Sequence, residues 1–301
     1  MLPRFINRVT TTPPLGPGFG GDRHKAALVI APGDLLATDP FFLMADDNIT
    51  TSGPFGEAHP HAGLETVTFM LRGTMEDTGG RLTEGDVEWM TAGSGIVHAE
   101  HATVSTGMRL LQLWLLLPER QRNMAPRVQI LRRDEMPVRR ENGVVATIYS
   151  GESGGVTALT KNAVPVTLID VRLGADAEFE QQLPASYNGF VVVIEGQVDA
   201  GDPATVLTTG QVGWTNPSKG EGVSALVLKT GSSAARVLLY AAQPQNISVV
   251  AQGPFIAGST EELVGYYAAY RHGKFPHAGS MRPQVGSSEE TPMAVSPWRN
   301  T

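Results

Sequence analysis

Apolar residues along this chain come in short runs of strand length, closed by Gly, Pro, Asn or Asp, and only one late stretch repeats at helical spacing. Ala26 to Ile30, Asp39 to Met44, Thr66 to Leu71, Val144 to Tyr149, Val166 to Leu173 and Phe190 to Glu195 read as strands. The β-branched and apolar content of Thr66 to Leu71 marks a buried one. Leu110 to Leu117, ended by Pro118, is almost continuously apolar, which predicts burial on both faces or between domains, with Trp114 as a core residue. Asp46-Asp47-Asn48 reads as a solvated loop tip. Near the end, Ser259-Thr260-Glu261-Glu262 has a capping-box pattern, and Leu263, Tyr266, Tyr267 and Tyr270 share the face that docks the helix.

The strands repeat. Thr66-Val67-Thr68-Phe69-Met70-Leu71-Arg72-Gly73 lines up with Gly189-Phe190-Val191-Val192-Val193-Ile194-Glu195-Gly196, and Gly85-Asp86-Val87-Glu88-Trp89 with Gly210-Gln211-Val212-Gly213-Trp214. Two copies of one all-β unit follow, and 301 residues suffice for two domains of about 130 residues that each bury a core. The expected division is a first unit over 1–135, a second over 136–275 and a polar tail over 276–301. Residues 1 to 24, rich in Thr, Pro and Gly, read as an irregular lead-in strapped over a barrel. The segment from Glu119 to Glu141, with Arg120, Arg122, Arg127, Arg132, Arg133, Arg139 and Arg140, reads as a solvated basic linker.

A formal charge of -7 leaves no basic field for nucleic acid. The first residues lack an apolar signal core and no apolar run is long enough to span a bilayer, so no membrane partner is expected and the cytoplasm is the default location. The chain has no cysteine, which excludes thiolate metal sites.

Against this background His59-Pro60-His61 stands out. Histidines at i and i+2 of an extended segment point to one face. His98 and Glu100 repeat the spacing downstream, and three nitrogens with one oxygen suit a divalent ion such as iron, manganese, nickel or zinc, with copper a further candidate. Such a set leaves an octahedral ion about two open positions. Glu65 shares parity with the first pair and competes with Glu100 for the fourth place, while His101 points away from His98 unless a bulge intervenes. In the second copy the same offsets put Gln182 and Pro184 opposite His59 and His61, and no histidine lies between His101 and His272, so that copy is expected to be metal-free.

Asp39-Pro40-Phe41-Phe42-Leu43-Met44, His59 through Thr68, Gly85 through Gly93, Gly95 through Glu100, Leu111-Gln112-Leu113-Trp114 and Gly253-Pro254-Phe255 resemble, in order, the successive signatures of pirin-like proteins of the cupin superfamily. The resemblance runs from about residue 25 to 275. It implies two tandem cupin barrels with a short C-terminal helix, and one metal, commonly iron as Fe(II), held in the first by His59, His61, His98 and Glu100. That favours Glu100 over Glu65. It also implies two functions: quercetin 2,3-dioxygenase chemistry on a flavonol-like enediol, with Glu100 as candidate general base and Glu65 in reserve, or a metal- and redox-dependent partner of another protein, such as a transcription factor or metabolic enzyme.

Overall fold

The computed structural model describes residues 1–18, 21–50, 52–103, 107–215, 217 and 221–281, without the side chains of 53–56, 77 and 101–103. Strands dominate, and they form two barrels, each made of a large and a small sheet that are antiparallel except where Leu2–Pro3 joins Val223–Lys229 in parallel. In the first barrel the large sheet runs Arg127–Leu131, Val87–Thr91, Leu64–Arg72, Met108–Leu116, Phe41–Ile49, Gly21–Ile30 and Gly16–Gly18. The small sheet runs Gly53–His61, Ile96–Thr103, Thr74–Asp77 and Gly80–Thr83. The second barrel repeats this order, with Gln211–Thr215, Asn188–Glu195, Ala235–Ala242, Val166–Leu173 and Val144–Ser150 in the corresponding places. The architecture is the expected tandem cupin fold.

Each face of these strands has a separate destination. On Met108–Leu116, Leu111, Leu113 and Leu115 join a core shared by the two large sheets, whereas Leu110, Gln112, Trp114 and Leu116 turn into the first barrel. The shared core is aromatic: Phe41 meets Phe190 edge-on at 4.8 Å, and Phe69 meets Tyr149 at 5.2 Å. Burying one such side chain stabilises by roughly 1.5–3 kcal/mol. The barrels therefore adhere through a continuous apolar layer.

The chain ends exchange partners, which differs from the expected division. Leu2–Pro3 pairs with Ser224 and Ala225, and Ile6–Thr11 adds an edge strand beside Gln211–Thr215, so the first residues complete the second barrel. Arg4 anchors this graft with bonds to Ser224 Oγ at 2.7 Å and Thr215 Oγ1 at 3.0 Å. Conversely, residues 250–281 return to the first barrel, where Phe255 bridges Ala62 and His277 bridges Val97. Exact repeats cannot reveal which copy a non-repeated end will join. Of the expected tail, residues 282–301 lie outside the described residues.

The helix Thr260–Arg271 is capped by Ser259 Oγ, which accepts from Glu262 N at 3.2 Å, while Glu262 accepts from Gly258 N at 2.7 Å. Leu263 and Tyr266 are buried on the first barrel, but Tyr270 is exposed. Of the arginines of 119–141, Arg120, Arg133 and Arg140 are exposed as expected, but the segment is not a plain linker. Arg127–Leu131 and Val138–Glu141 are edge strands of the two large sheets. Arg122 is buried against Glu262 at 3.1 Å, Arg132 bonds Asp86 at 2.9 Å, and Arg139 lies over Phe179 at 4.8 Å.

One feature of the repeat escapes simple alignment. Arg109 grips both oxygens of Asp46 at 2.9 and 2.6 Å, and Arg236 grips both oxygens of Asp170 at 3.0 and 2.9 Å, at matching places in the two barrels. Asp46 is thus a buried anchor within the strand Phe41–Ile49, not a loop tip.

Candidate metal centre

Gly53–His61 and Ile96–Thr103 pair antiparallel, with His59 opposite His98 and His61 opposite Ile96. Period-two alternation then sends all three imidazoles to one interior face. Their ligand atoms lie within 4.8 Å of one another, His59 Nε2 and His98 Nε2 are 3.0 Å apart, and the ring centroids are 4.4 to 5.2 Å apart. Between His98 and Glu100 the register slips, because residues 56–58 of the first strand face Ala99 alone. The slip adds residues to the partner and preserves parity on the second strand. Glu100 accordingly stays buried and lines the same cavity of about 50 Å3 as His59 and His61.

The turn after His61 fixes the geometry. Gly63 has φ +78°, and a Cβ there would lie 1.7 Å from Ile256 O, so only glycine lets the returning C-terminal strand seal the end of the ligand strand. Ile256 N donates to Ala62 O at 3.1 Å and Ala62 N to Pro254 O at 3.4 Å. His59 is held by a 2.7 Å bond from Nδ1 to Glu57 O.

Burial, then the neighbouring His98 and His59, hold the His61 imidazole well below its ordinary pKa, with the Pro254 carbonyl acting weakly the other way. Its Nδ1 is buried without a hydrogen bond of good geometry. A neutral, desolvated imidazole beside two others in a small cavity fits a cation. The donor set therefore suits a divalent metal ion.

The opposite wall comes from the large sheet and consists of Asp47, Leu110, Gln112 and Trp114. Trp114 stands edge-on to His61 at 5.1 Å and stacks on Phe42 at 6.5 Å, so it lines the cavity while also packing against the first barrel's core. The alternation of residues 110, 112 and 114 carried that signal, hidden by the apolar residues between them. Glu65 is not brought to the cluster. Gly63 breaks the strand, and Leu64–Arg72 belongs to the other sheet, where Glu65 accepts from Thr91 Oγ1 at 2.6 Å and Ala163 N at 3.3 Å. The His101 side chain lies outside the described residues.

The second barrel is different. Burial alternates along Glu178–Pro184 so that Gln181 and Leu183 point inward, while Gln182 and Pro184, expected opposite the histidines, are exposed. Gln181 faces Leu226 where His59 faces His98. The longer turn before Asn188 shifts the inward set by one residue.

Comparison with known proteins matches the two barrels in order. The pirin family model matches residues 32–115 and the pirin C-terminal cupin domain residues 168–276. A pirin-like protein of Solanum lycopersicum is 34% identical over 246 residues, covering 80% of this chain and 83% of its own. A crystal structure of a Geobacillus kaustophilus protein is 37% identical, with TM-score 0.76 and coverage of 82% of this chain and 99% of that one. The crystal structure of a quercetin 2,3-dioxygenase from Acinetobacter baumannii is 25% identical, with TM-score 0.78 and coverage of 90% and 98%. With both barrels matched in order, and the imidazoles confined to the first, this chain belongs to the pirin family.

Proposed function

We propose that the first barrel is an oxygenase site for flavonol-like or related enediol substrates, with His59, His61, His98 and Glu100 holding one divalent ion, Fe(II) foremost. The observation that carries this reading is the convergence of three imidazoles on one buried point. Likeness to the Acinetobacter baumannii quercetin 2,3-dioxygenase supports it. When bound, such an ion supplies a Lewis-acidic, redox-capable centre for an enol oxygen and dioxygen.

The chain's own residues do the remaining work. Burial lowers the His61 pKa and so favours the unprotonated imidazole that can bind a cation. Glu100 is the candidate ligand that doubles as acceptor for a substrate hydroxyl proton. Only the oxygen-bearing edge of a ligand fits the 50 Å3 space, so the rest of a flavonol lies outside, over half-buried Gln112 and Trp114. Anaerobic loading with Fe(II), followed by oxygen uptake with and without quercetin, tests the reading: uptake that requires both metal and quercetin is expected.

The small cavity favours one second reading, a metal- and redox-dependent protein that regulates a partner such as a transcription factor or metabolic enzyme. Metal-loaded protein that consumes no oxygen with any catechol or enediol points there. Among the described residues no helix is long and apolar enough to cross a membrane. A cytoplasmic location is part of the proposal and is tested by cell fractionation.

A further inference from the structure

Across the cavity from the imidazoles, Asp47 and His24 form a buried pair that the cupin fold itself does not need. His24 Nε2 donates to Asp47 Oδ1 at 2.6 Å, and the two side chains are 1% and 4% exposed. Both sit on the large sheet, His24 on Gly21–Ile30 and Asp47 on Phe41–Ile49. Asp47 lines the cavity with His59, His61 and Glu100, and its second oxygen makes no hydrogen bond among the described residues. His24 is seated from behind. A Cβ on Gly18 would fall 2.3 Å from its ring, so the glycine leaves the space that the imidazole occupies.

The second barrel supplies the control. Asp46 and Asp170 are matching anchors, so the residue after each matches too, Asp47 in one barrel and Val171 in the other. Ala26 pairs with Asp47 as Ala146 pairs with Val171, which puts His24 opposite Val144 in the comparison. Val144 and Val171 lie in the apolar core of the second barrel, as do Leu239 and Ala241, the counterparts of Gln112 and Trp114. Among the described residues, the polar pair therefore occurs only in the barrel that holds the imidazole cluster. A carboxylate buried there without a function is costly, since burial raises its pKa even though His24, facing it, works the other way and Asp46 adds repulsion.

We propose that Asp47 is a second catalytic acid–base residue of this site, with His24 as its positioning residue, and that the site takes catechols or enediols in their doubly deprotonated form. The inference rests on the proposed oxygenase reading. A ligand that is to chelate through two adjacent hydroxyls must lose two protons. Glu100 is the acceptor for one. Asp47 takes the other: the substrate O–H bond breaks, its electron pair stays on the substrate oxygen, and an O–H bond forms on the free Asp47 oxygen. His24 holds the far oxygen so that the free one faces the ligand.

The test uses 4-nitrocatechol, whose monoanion and dianion have distinct visible colours, bound anaerobically to the metal-loaded full chain. Wild type should show the dianion. Asp47→Asn should bind the monoanion with unchanged metal content, and Asp47→Ser, which empties the position instead of filling it, should do the same. His24→Gln should give a mixture. Oxygen uptake with a catechol should fall roughly 100-fold in Asp47→Asn. A dianion bound equally in wild type and both Asp47 variants overturns the proposal, as does a wild type that binds the monoanion. Failure of the oxygenase reading shows separately, as absent oxygen uptake by metal-loaded wild type, and the nitrocatechol spectra still decide the role of Asp47.

Discussion

The duplicated arginine–aspartate clamp allows one energetic prediction with a built-in control. In the second barrel, Asp170 and Arg236 are 2% and 4% exposed and share two hydrogen bonds, with Arg172 3.9 Å away. Asp170→Asn preserves the shape but leaves the Arg236 cation buried without its counter-charge. Breaking a buried pair from one side costs about 3–5 kcal/mol, most of it from the stranded charge. The first barrel has the same bidentate geometry, but Arg109 is 33% exposed and can be rehydrated. Asp46→Asn should therefore cost only about 1–2 kcal/mol. Urea unfolding followed by tryptophan fluorescence and far-ultraviolet circular dichroism measures both variants. Coincidence of the two signals establishes that a single transition is being compared. Equal losses, or a larger loss for Asp46→Asn, would refute the argument that burial rather than bond geometry sets the cost.

Three further outcomes follow from named contacts. Burial raises the Glu65 carboxyl above its ordinary 4.5, despite bonds from Thr91 and Ala163. A raised folded-state pKa gives stability that is present below the unfolded value and lost as pH rises through the folded one, so Glu65→Gln should gain on wild type between acid and neutral pH in paired urea titrations. Phe255→Ala removes a fully buried ring from the patch formed by Ala62, Tyr266 and Phe275 and should cost about 3–5 kcal/mol, with weaker metal retention because Ala62 adjoins His61. Deleting residues 1–11 should alter Trp214 emission, since Arg8 lies 4.7 Å over that ring and Thr10 accepts from its Nε1 at 3.3 Å, while metal content stays unchanged.

Much of the architecture was legible because it depends on local pattern. Strand-length apolar runs and the repeat of residues 66–73 at 189–196 define two barrels, and i, i+2 spacing brings His59, His61 and His98 to one face. What failed depended on information that a linear pattern lacks. Parity carried Glu65 toward the cluster, but a left-handed glycine at position 63 moves the chain to the other sheet. Constant offsets chose Gln182 and Pro184, yet a turn of different length makes Gln181 and Leu183 the inward residues. Asp46-Asp47 looked like a solvated tip because its partners, Arg109 and His24, lie 63 and 23 residues away. Trp114 has two roles that a linear pattern does not separate, since it packs against the first barrel's core and also edges the cavity. The exchange of chain ends left no trace in composition.

Elemental analysis of protein purified from metal-replete medium tests the central claim most directly. One transition-metal ion per chain is expected in wild type, with near-complete loss in His61→Ala and His98→Ala and full retention in Gln181→Ala. Wild-type protein that carries no metal, or ion content indifferent to the histidine substitutions, would contradict the account.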